Sequence, residues 1–512
     1  MEKNDFVNIS IEDMTEEGMG IGHVDNMAVF VKDTCPGDVA EIRIVKVKKT
    51  YAFGRLERLI SPSEYRIDPK CPVAKQCGGC TLQHISYEKE LELKKNRVSS
   101  CLQRIGGIEN PDQYLEQVCG MEVPERYRNK MQFPVSRRDR GNVYGGENSS
   151  LSVFSCKSRT VLGFYAGRTH SLIPVKDCVI GHEVNKYISD GVIRWADNYQ
   201  ISIYDEERGQ GLLRHVLTRV GFRTGQLMVC IVVTSKKVPY TDKLVAELSK
   251  QVEKYKSDHP DEEFRLRSVV MNINKEKTNK ILGDKTILIN GQDYITDYIG
   301  DIKFHISAQS FYQVNPKQTV RLYSKVLEYA ELTGKETVWD MYCGIGTISL
   351  FLAKSAGKVY GVEVVPQAIE DARDNASLND IENVEFFVGK AEDVVTNWYN
   401  VSGKSHIDVV VVDPPRKGCD EKLLETIVDM KPDKMIYVSC DPATLARDLK
   451  YLLSNGFNME KYSVYDQFSR SMHVETVVLL DNKKARAKDY VEIGIDAEDY
   501  YRIKGSEKKE KE

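Results

Sequence analysis

Residues 336–354, "ETVWDMYCGIGTISLFLAK", run from a short apolar stretch ending in an acid, through two closely spaced glycines, into apolar residues at helical spacing. That is a strand, a tight turn and a helix. Asp340 closes the strand, and Gly344 and Gly346 let the backbone approach a ligand closely at the first strand-to-helix turn, where open α/β sheets bind cofactors. The pattern stops short of the G-x-G-x-x-G pyrophosphate cradle, because Gly346 is followed by Thr347, Ile348 and Ser349. Glu363 ends the next apolar strand, "KVYGVEV", and is placed to accept both hydroxyls of a ribose. Together these features favour S-adenosylmethionine over a dinucleotide.

On either side of this stretch, strand and helix patterns alternate from residue 306 to 482. Near-continuous apolar strands between helices predict a parallel, doubly wound sheet. "HIDVVVVDPPRKG" (406–418) brings Asp413 to the cofactor edge on a loop stiffened by Pro414 and Pro415. "DKMIYVSCDPATLARDL" (433–449) ends its strand at Cys440; Asp441 suits an N-cap and Pro442 the first helical position. The helix start predicts a lowered thiol pKa, with the charge of Asp441 working against it. Glu475, in "SRSMHVETVVLL" (469–480), stands at the mouth of a late apolar strand. A thiol and a carboxylate near a methyl donor suit one reaction in particular. Carbon 5 of uracil becomes nucleophilic once a thiolate adds at carbon 6, and a base must then take the carbon-5 proton.

The chain has 512 residues, 41% hydrophobic and 29% charged, with net charge −4. That is too long for one core and too apolar for a disordered protein. The start, "MEKNDFVNIS", lacks a signal-peptide pattern, and no apolar run approaches the roughly 18 residues of a membrane span. A cytoplasmic protein without a membrane or obligate protein partner is expected. Residues 1–62 alternate over short segments and predict a small β-barrel. Residues 63–305 predict a mixed α+β unit. It carries a helix near 85–107, with Tyr87, Leu91, Val98, Leu102 and Ile105 on one face, and one clear later helix at 241–256. Residues 483–512 form a charged, low-complexity tail. Two basic segments interleaved with aromatics, 43–58 and 125–140, suit nucleic acid.

Twelve cysteines are many for a compartment where disulfides are rare. "CPVAKQCGGCTLQH" (71–84) spaces Cys71, Cys77 and Cys80 as C-x5-C-x2-C, which indicates a metal centre. Cys101, Cys119, Cys156 and Cys178 are all available as a fourth ligand, and zinc fits the donors as well as iron does.

Taken in order, "SFYQVNP" (310–316), "DMYCGIGTISL" (340–350), "VDPPRKG" (412–418), "VSCDPATLARDL" (438–449) and "HVETVVLL" (473–480) resemble the RNA uracil-C5 methyltransferase family. The resemblance implies a class I, Rossmann-like methyltransferase domain. It also implies Cys440 as nucleophile, Glu475 as base, and S-adenosylmethionine contacts from Gln313, Tyr342, Glu363 and Asp413. The family's ribosomal-RNA branch adds an N-terminal TRAM barrel and a [4Fe–4S] cluster. The cysteine triplet matches that cluster, and Cys178 in "LIPVKDCVIGHE" (172–183) resembles its distal ligand, although a Val follows where the family has Pro. In that family the helix near 85–105 packs on the catalytic domain. The implied substrate is uridine in 23S ribosomal RNA. Alternatives are the T-loop uridine of transfer RNA, an RNA cytosine, or a non-catalytic iron–sulfur RNA-binding protein of ribosome assembly.

Overall fold

The computed structural model describes residues 1–138, 143, 159–167, 169–403 and 405–482. Arg140, Cys156 and the tail 483–512 lie outside the described residues. Among the described residues no helix is long and apolar enough to cross a membrane.

The alternating N-terminal segments form a six-stranded sheet in the order Phe6–Ser10, Val39–Val47, Tyr51–Ser61, Met27–Val31, Gly20–Val24, Asp13–Met14. Inward positions such as Ile9, Val29, Val31, Ala40, Ile42, Ile44 and Ala52 fill its core. The sheet curls until Gly22 meets the first strand, where a Cβ would stand 2.2 Å from the Ser10 carbonyl oxygen.

A second sheet of seven strands runs Leu172–Pro174, Thr160–Tyr165, Lys130–Arg137, Leu213–Val220, Gln226–Val233, Arg265–Ile273, Lys285–Gly291. Two helices cover one face, Thr241–Asp258 and Val184–Asn198. The second of these is one more than the sequence predicts. Its buried face is Val184, Tyr187, Ile188, Val192, Ile193 and Trp195, mostly β-branched or aromatic residues whose local preference is for strands. Packing against the neighbouring helix overrides that preference. The hairpin Tyr294–Ile299/Ile302–Ser307 lies on the other face and joins Leu217, Met228 and Val270 to the core of the next sheet.

The third sheet has eight strands, in the order Val384–Val388, Lys358–Glu363, Thr337–Asp340, Val409–Val412, Lys434–Ser439, Glu475–Asn482, Phe457–Tyr465, Leu115–Cys119. The first five are parallel and Glu475–Asn482 runs against them. This doubly wound sheet with one reversed strand is the class I methyltransferase fold. Val409, Val410, Val411 and Val412 are all buried, as a strand covered on both faces requires. The strand Leu115–Cys119 comes from the stretch assigned by sequence to the central unit, yet it pairs in parallel with Phe457–Tyr465.

The helix Tyr87–Arg104, capped by Ser86, packs on the catalytic helix Pro442–Ser454. Its buried face includes Glu90 and Lys94, both fully buried, and Ile105 is exposed. Lys94 donates to Glu90 (2.9 Å), to Asp466 and to the Phe468 carbonyl (3.2 Å). A buried ammonium persists only with its hydrogen bonds met, and the bonds to Asp466 and Phe468 tie the helix to the loop that leads into Glu475.

Candidate active site

The carboxyl ends of the catalytic strands open into a cavity of about 720 Å³. Gln313, Tyr342, Glu363, Asp413, Cys440 and Glu475 all line it. Each is carried there by a different element. Gly344 and Gly346 adopt φ +54° and +82°, and a Cβ on Gly344 would meet nothing within 4 Å, so the turn is open to a ligand. The Val365 N–H donates to Glu363 Oε1 at 3.0 Å and holds that carboxylate at the sheet edge. Ser439 pairs with Thr476 in the antiparallel register, so the next step sets Cys440 opposite Glu475. Residues opposed in this way have Cβ atoms about 5 Å apart on one face. A thiol and a carboxylate 35 residues apart in sequence thus become neighbours by strand pairing.

The electrostatics are those of acids held out of water. Burial pushes Asp413 up to about 7, with Asp340 adding to the effect. Glu475 is raised well above the usual carboxylate range, by burial first and then by Asp413, against the opposing Arg416. Cys440 is pushed up to about 12 by burial, then by Glu475 and Asp413. This reverses what the helix start alone predicts for the thiol. The Asp441 carboxylate already accepts the free N–H groups of Ala443 (3.0 Å) and Thr444 (3.1 Å), so they are not left for the sulfur.

A second cavity, of about 210 Å³, is lined by Cys71, Cys77, Cys80 and Cys178. Gly78 makes the tight wrap possible: a Cβ there would stand 3.0 Å from Gly167 Cα. Burial and the neighbouring thiols push Cys80 up to about 12 and Cys178 up to about 11. Cys101 and Cys119 do not line this cavity. Among the described residues the group of three or more candidate ligands with donor atoms all within 4.8 Å of one another is His406, Asp408 and Asp433. The four thiols are therefore spread more widely than that.

The matching family model is that of the tRNA (uracil-5-)-methyltransferases, over residues 240–483, and a TRAM domain model matches residues 2–56. A Bacillus cereus RNA methyltransferase is 47% identical over 480 residues, covering 94% of this chain and 97% of its own. One from Clostridium tetani is 43% identical over 488 residues, covering 94% and 99%. The chain belongs to the uracil-5 RNA methyltransferase family. Among solved structures, the Pyrococcus abyssi tRNA (uracil-54, C5)-methyltransferase in complex with S-adenosyl-L-homocysteine superposes with TM-score 0.69 at 25% identity. The match covers 93% of this chain and all of that one.

Several residues of the cavity were not singled out by sequence. Arg416 follows the Pro pair and lines the wall shared with Cys440 and Glu475; its Nη2 lies 3.4 Å from His473 Nδ1. Burial, then Arg416, lowers His473 to about 4, so this imidazole is neutral near pH 7. Phe311, two-thirds exposed, stands at the cavity wall with Phe468. The signal for Arg416 and Phe311 was present, because both belong to the motifs that placed Asp413 and Gln313. The basic segment 125–140 is not a continuous solvent-facing stripe. Arg126 pairs with Asp177, and Arg128 and Lys130 line the cysteine cavity.

Proposed function

We propose that this protein methylates carbon 5 of uridine in structured RNA, with S-adenosylmethionine as methyl donor. The observation that carries the reading is the convergence of Cys440, Glu475, Asp413, Glu363, Tyr342 and Gln313 on one cavity. A volume of about 720 Å³ suits a cofactor together with a flipped base. Glu363 takes the ribose hydroxyls, Tyr342 and Gln313 contact the cofactor, and Asp413 faces its cationic sulfur. The bound sulfonium supplies the methyl group. The Cys440 thiolate adds to carbon 6 of the base, and the electron pair displaced to carbon 5 takes the methyl. Glu475 removes the carbon-5 proton, and elimination returns the thiolate. Arg416 is the nearby cation that favours the ionised thiol and carboxylate.

The acids give a pH dependence with a definite sign. Below about 7, Asp413 is protonated and offers no charge to a cation. Affinity for S-adenosylmethionine should therefore rise with pH, by up to about tenfold per unit below pH 7. S-adenosylhomocysteine has a neutral sulfur and should respond much less. Calorimetric titrations between pH 5.5 and 8 check this; equal slopes for the two ligands would remove Asp413 from the sulfonium.

The four thiols lining the cysteine cavity support a [4Fe–4S] cluster, which we favour over zinc. In a [4Fe–4S] cluster each thiolate takes its own iron. Arg128 and Lys130 bring positive charge to the same wall, which suits an anionic thiolate-bound cluster. Cys71, Cys77, Cys80 and Cys178 would hold the cluster. Its role would be to pin residues 71–80, whose neighbours Thr81 and Leu82 both donate to the Arg470 carbonyl in the loop before Glu475. Anaerobic reconstitution should give about four irons per chain, and Cys178→Ala should lose most of the iron-dependent visible absorption. A zinc-loaded protein that takes up no iron would reverse the assignment.

The three sheets suggest a division of labour. Residues 1–62 would bind RNA, 63–305 would bind RNA and carry the cluster, and 306–482 would hold the chemistry. On the barrel, Phe30, Tyr51 and Phe53 cluster on the outer face with ring centroids 5.5–5.7 Å apart, and Lys46, Lys48 and Lys49 are exposed nearby. Rings for stacking and cations for phosphates favour single-stranded RNA there.

Ribosomal RNA of the large subunit is the substrate we favour, from the barrel and the cysteine set together. One observation supports the second reading, transfer RNA. The Pyrococcus abyssi tRNA enzyme aligns over 93% of this chain, so a chain of this whole extent can serve a tRNA. Incubation with separate unmodified rRNA and tRNA pools, followed by nucleoside analysis, should yield 5-methyluridine in the rRNA pool. Product only in tRNA would select the second reading, and 5-methylcytidine would overturn both.

A further inference from the structure

Gln313 is held from two sides. Its backbone is fixed by Asn129, whose Nδ2 donates to the Gln313 carbonyl and whose N–H donates to that of Val314, both at 2.9 Å. Its side chain meets Gln467, whose Nε2 donates to Gln313 Oε1 at 3.3 Å. The two ends of an amide have nearly the same shape, so the direction of this bond has to be set by neighbours. Here Thr319 sets it. Its hydroxyl gives its one hydrogen to the Asn315 carbonyl at 2.7 Å and can only accept from elsewhere. Gln467 Nε2 supplies that bond at 3.0 Å, which leaves the second hydrogen of the same NH₂ for Gln313 Oε1.

Gln467 holds this direction through both hydrogens of its NH₂, while its own Oε1 is buried without a partner among the described residues. Its side chain is 1% exposed, so water does not compete. Its backbone carbonyl accepts from Asn315 Nδ2 at 3.2 Å, and the preceding residue, Asp466, is pinned by Lys94 and by the Cys119 carbonyl. With Oε1 committed to Gln467, the Nε2 of Gln313 has no hydrogen-bond acceptor among the described residues while Gln313 lines the main cavity.

We propose that Gln467 is a positioning residue. It fixes the Gln313 amide so that N–H₂, and not the carbonyl, faces the cavity and receives the carboxylate of the cofactor's amino-acid tail. This rests on the reading of the cavity as the S-adenosylmethionine site. The surrounding wall carries Glu363, Glu392, Asp413, Asp420 and Glu475, which suit hydroxyls and a sulfonium but repel a carboxylate. A neutral donor held the right way round meets that carboxylate without pairing off against those acids.

Two ligands separate positioning from general damage. S-adenosylhomocysteine has the amino-acid tail, and 5′-deoxy-5′-methylthioadenosine keeps the nucleoside thioether but lacks it. Calorimetry on the full-length protein should show Gln313→Leu and Gln467→Met each weakening the first ligand by about tenfold, with the second unchanged. The Gln313→Leu/Gln467→Met pair should bind no worse than Gln313→Leu alone. Normal binding by Gln467→Met beside an impaired Gln313→Leu would overturn the positioning role, as would equal loss of both ligands. Normal binding by Gln313→Leu would instead show that the cofactor assignment of Gln313 has failed.

Discussion

Replacing Cys440 by alanine should remove methyl transfer, with turnover falling at least about 10⁴-fold while S-adenosylhomocysteine should bind within about twofold of wild type. The size of the loss follows from the chemistry. Without the sulfur–carbon 6 bond, carbon 5 of uracil is never converted into an enolate carbon, and no placement of the methyl donor compensates. Cofactor binding survives because Cys440 stands opposite Glu475, away from the strand end that carries Glu363. Alanine also lets the strand Lys434–Ser439 and the helix from Pro442 keep their join, since Asp441 and not Cys440 caps the helix. Single-turnover transfer of labelled methyl to RNA reads the loss. RNA carrying 5-fluorouridine reads the bond itself: a base cannot remove the fluorine as a proton, so wild type should leave an adduct that survives denaturant and Cys440→Ala should leave none. Undiminished turnover by the alanine variant would end the covalent scheme.

Sequence and structure agree best where local pattern and tertiary packing ask for the same thing. The valine run 409–412 reads as a strand buried on both faces and is one. Gly344 and Gly346 mark a turn whose positive φ angles only glycine adopts without strain. The helix Val184–Asn198 escaped notice because its β-branched and aromatic residues favour strands until a second helix packs on them. Helix Tyr87–Arg104 was legible as a helix, but its buried Glu90 and Lys94 were not, because the partner that neutralises Lys94 is Asp466, far along the chain. The thiol is the most instructive case. Its place at a helix start was legible; the two acids that raise its pKa arrive from separate strands, and their joint effect exists only after folding. Gln467 shows the same limit, since the direction of an amide hydrogen bond depends on which hydrogen a distant threonine has already given away.

Glu475→Gln should stop the proposed reaction after methyl transfer rather than before it. The uncharged amide keeps the size of the side chain but cannot take the carbon-5 proton, so kcat should fall about 10²–10⁴-fold. The earlier step should not suffer. When ionised, Glu475 is, after burial, the largest influence raising the Cys440 pKa, so an uncharged amide in its place does not hinder thiolate formation. Sulfur addition and methylation at carbon 5 then proceed, and the methylated, still protonated ring stays bonded to Cys440. Ordinary uridine RNA should therefore accumulate a denaturant-resistant adduct carrying the labelled methyl group in Glu475→Gln, where wild type turns over and releases its product. The variant separates two roles that loss of activity alone would confuse. If Glu475 served only to shape the cavity or to hold the cofactor, its replacement would lower activity and leave no methylated adduct. A trapped adduct whose decay quickens with rising pH, as hydroxide replaces the missing base, would place the carboxylate at the carbon-5 proton.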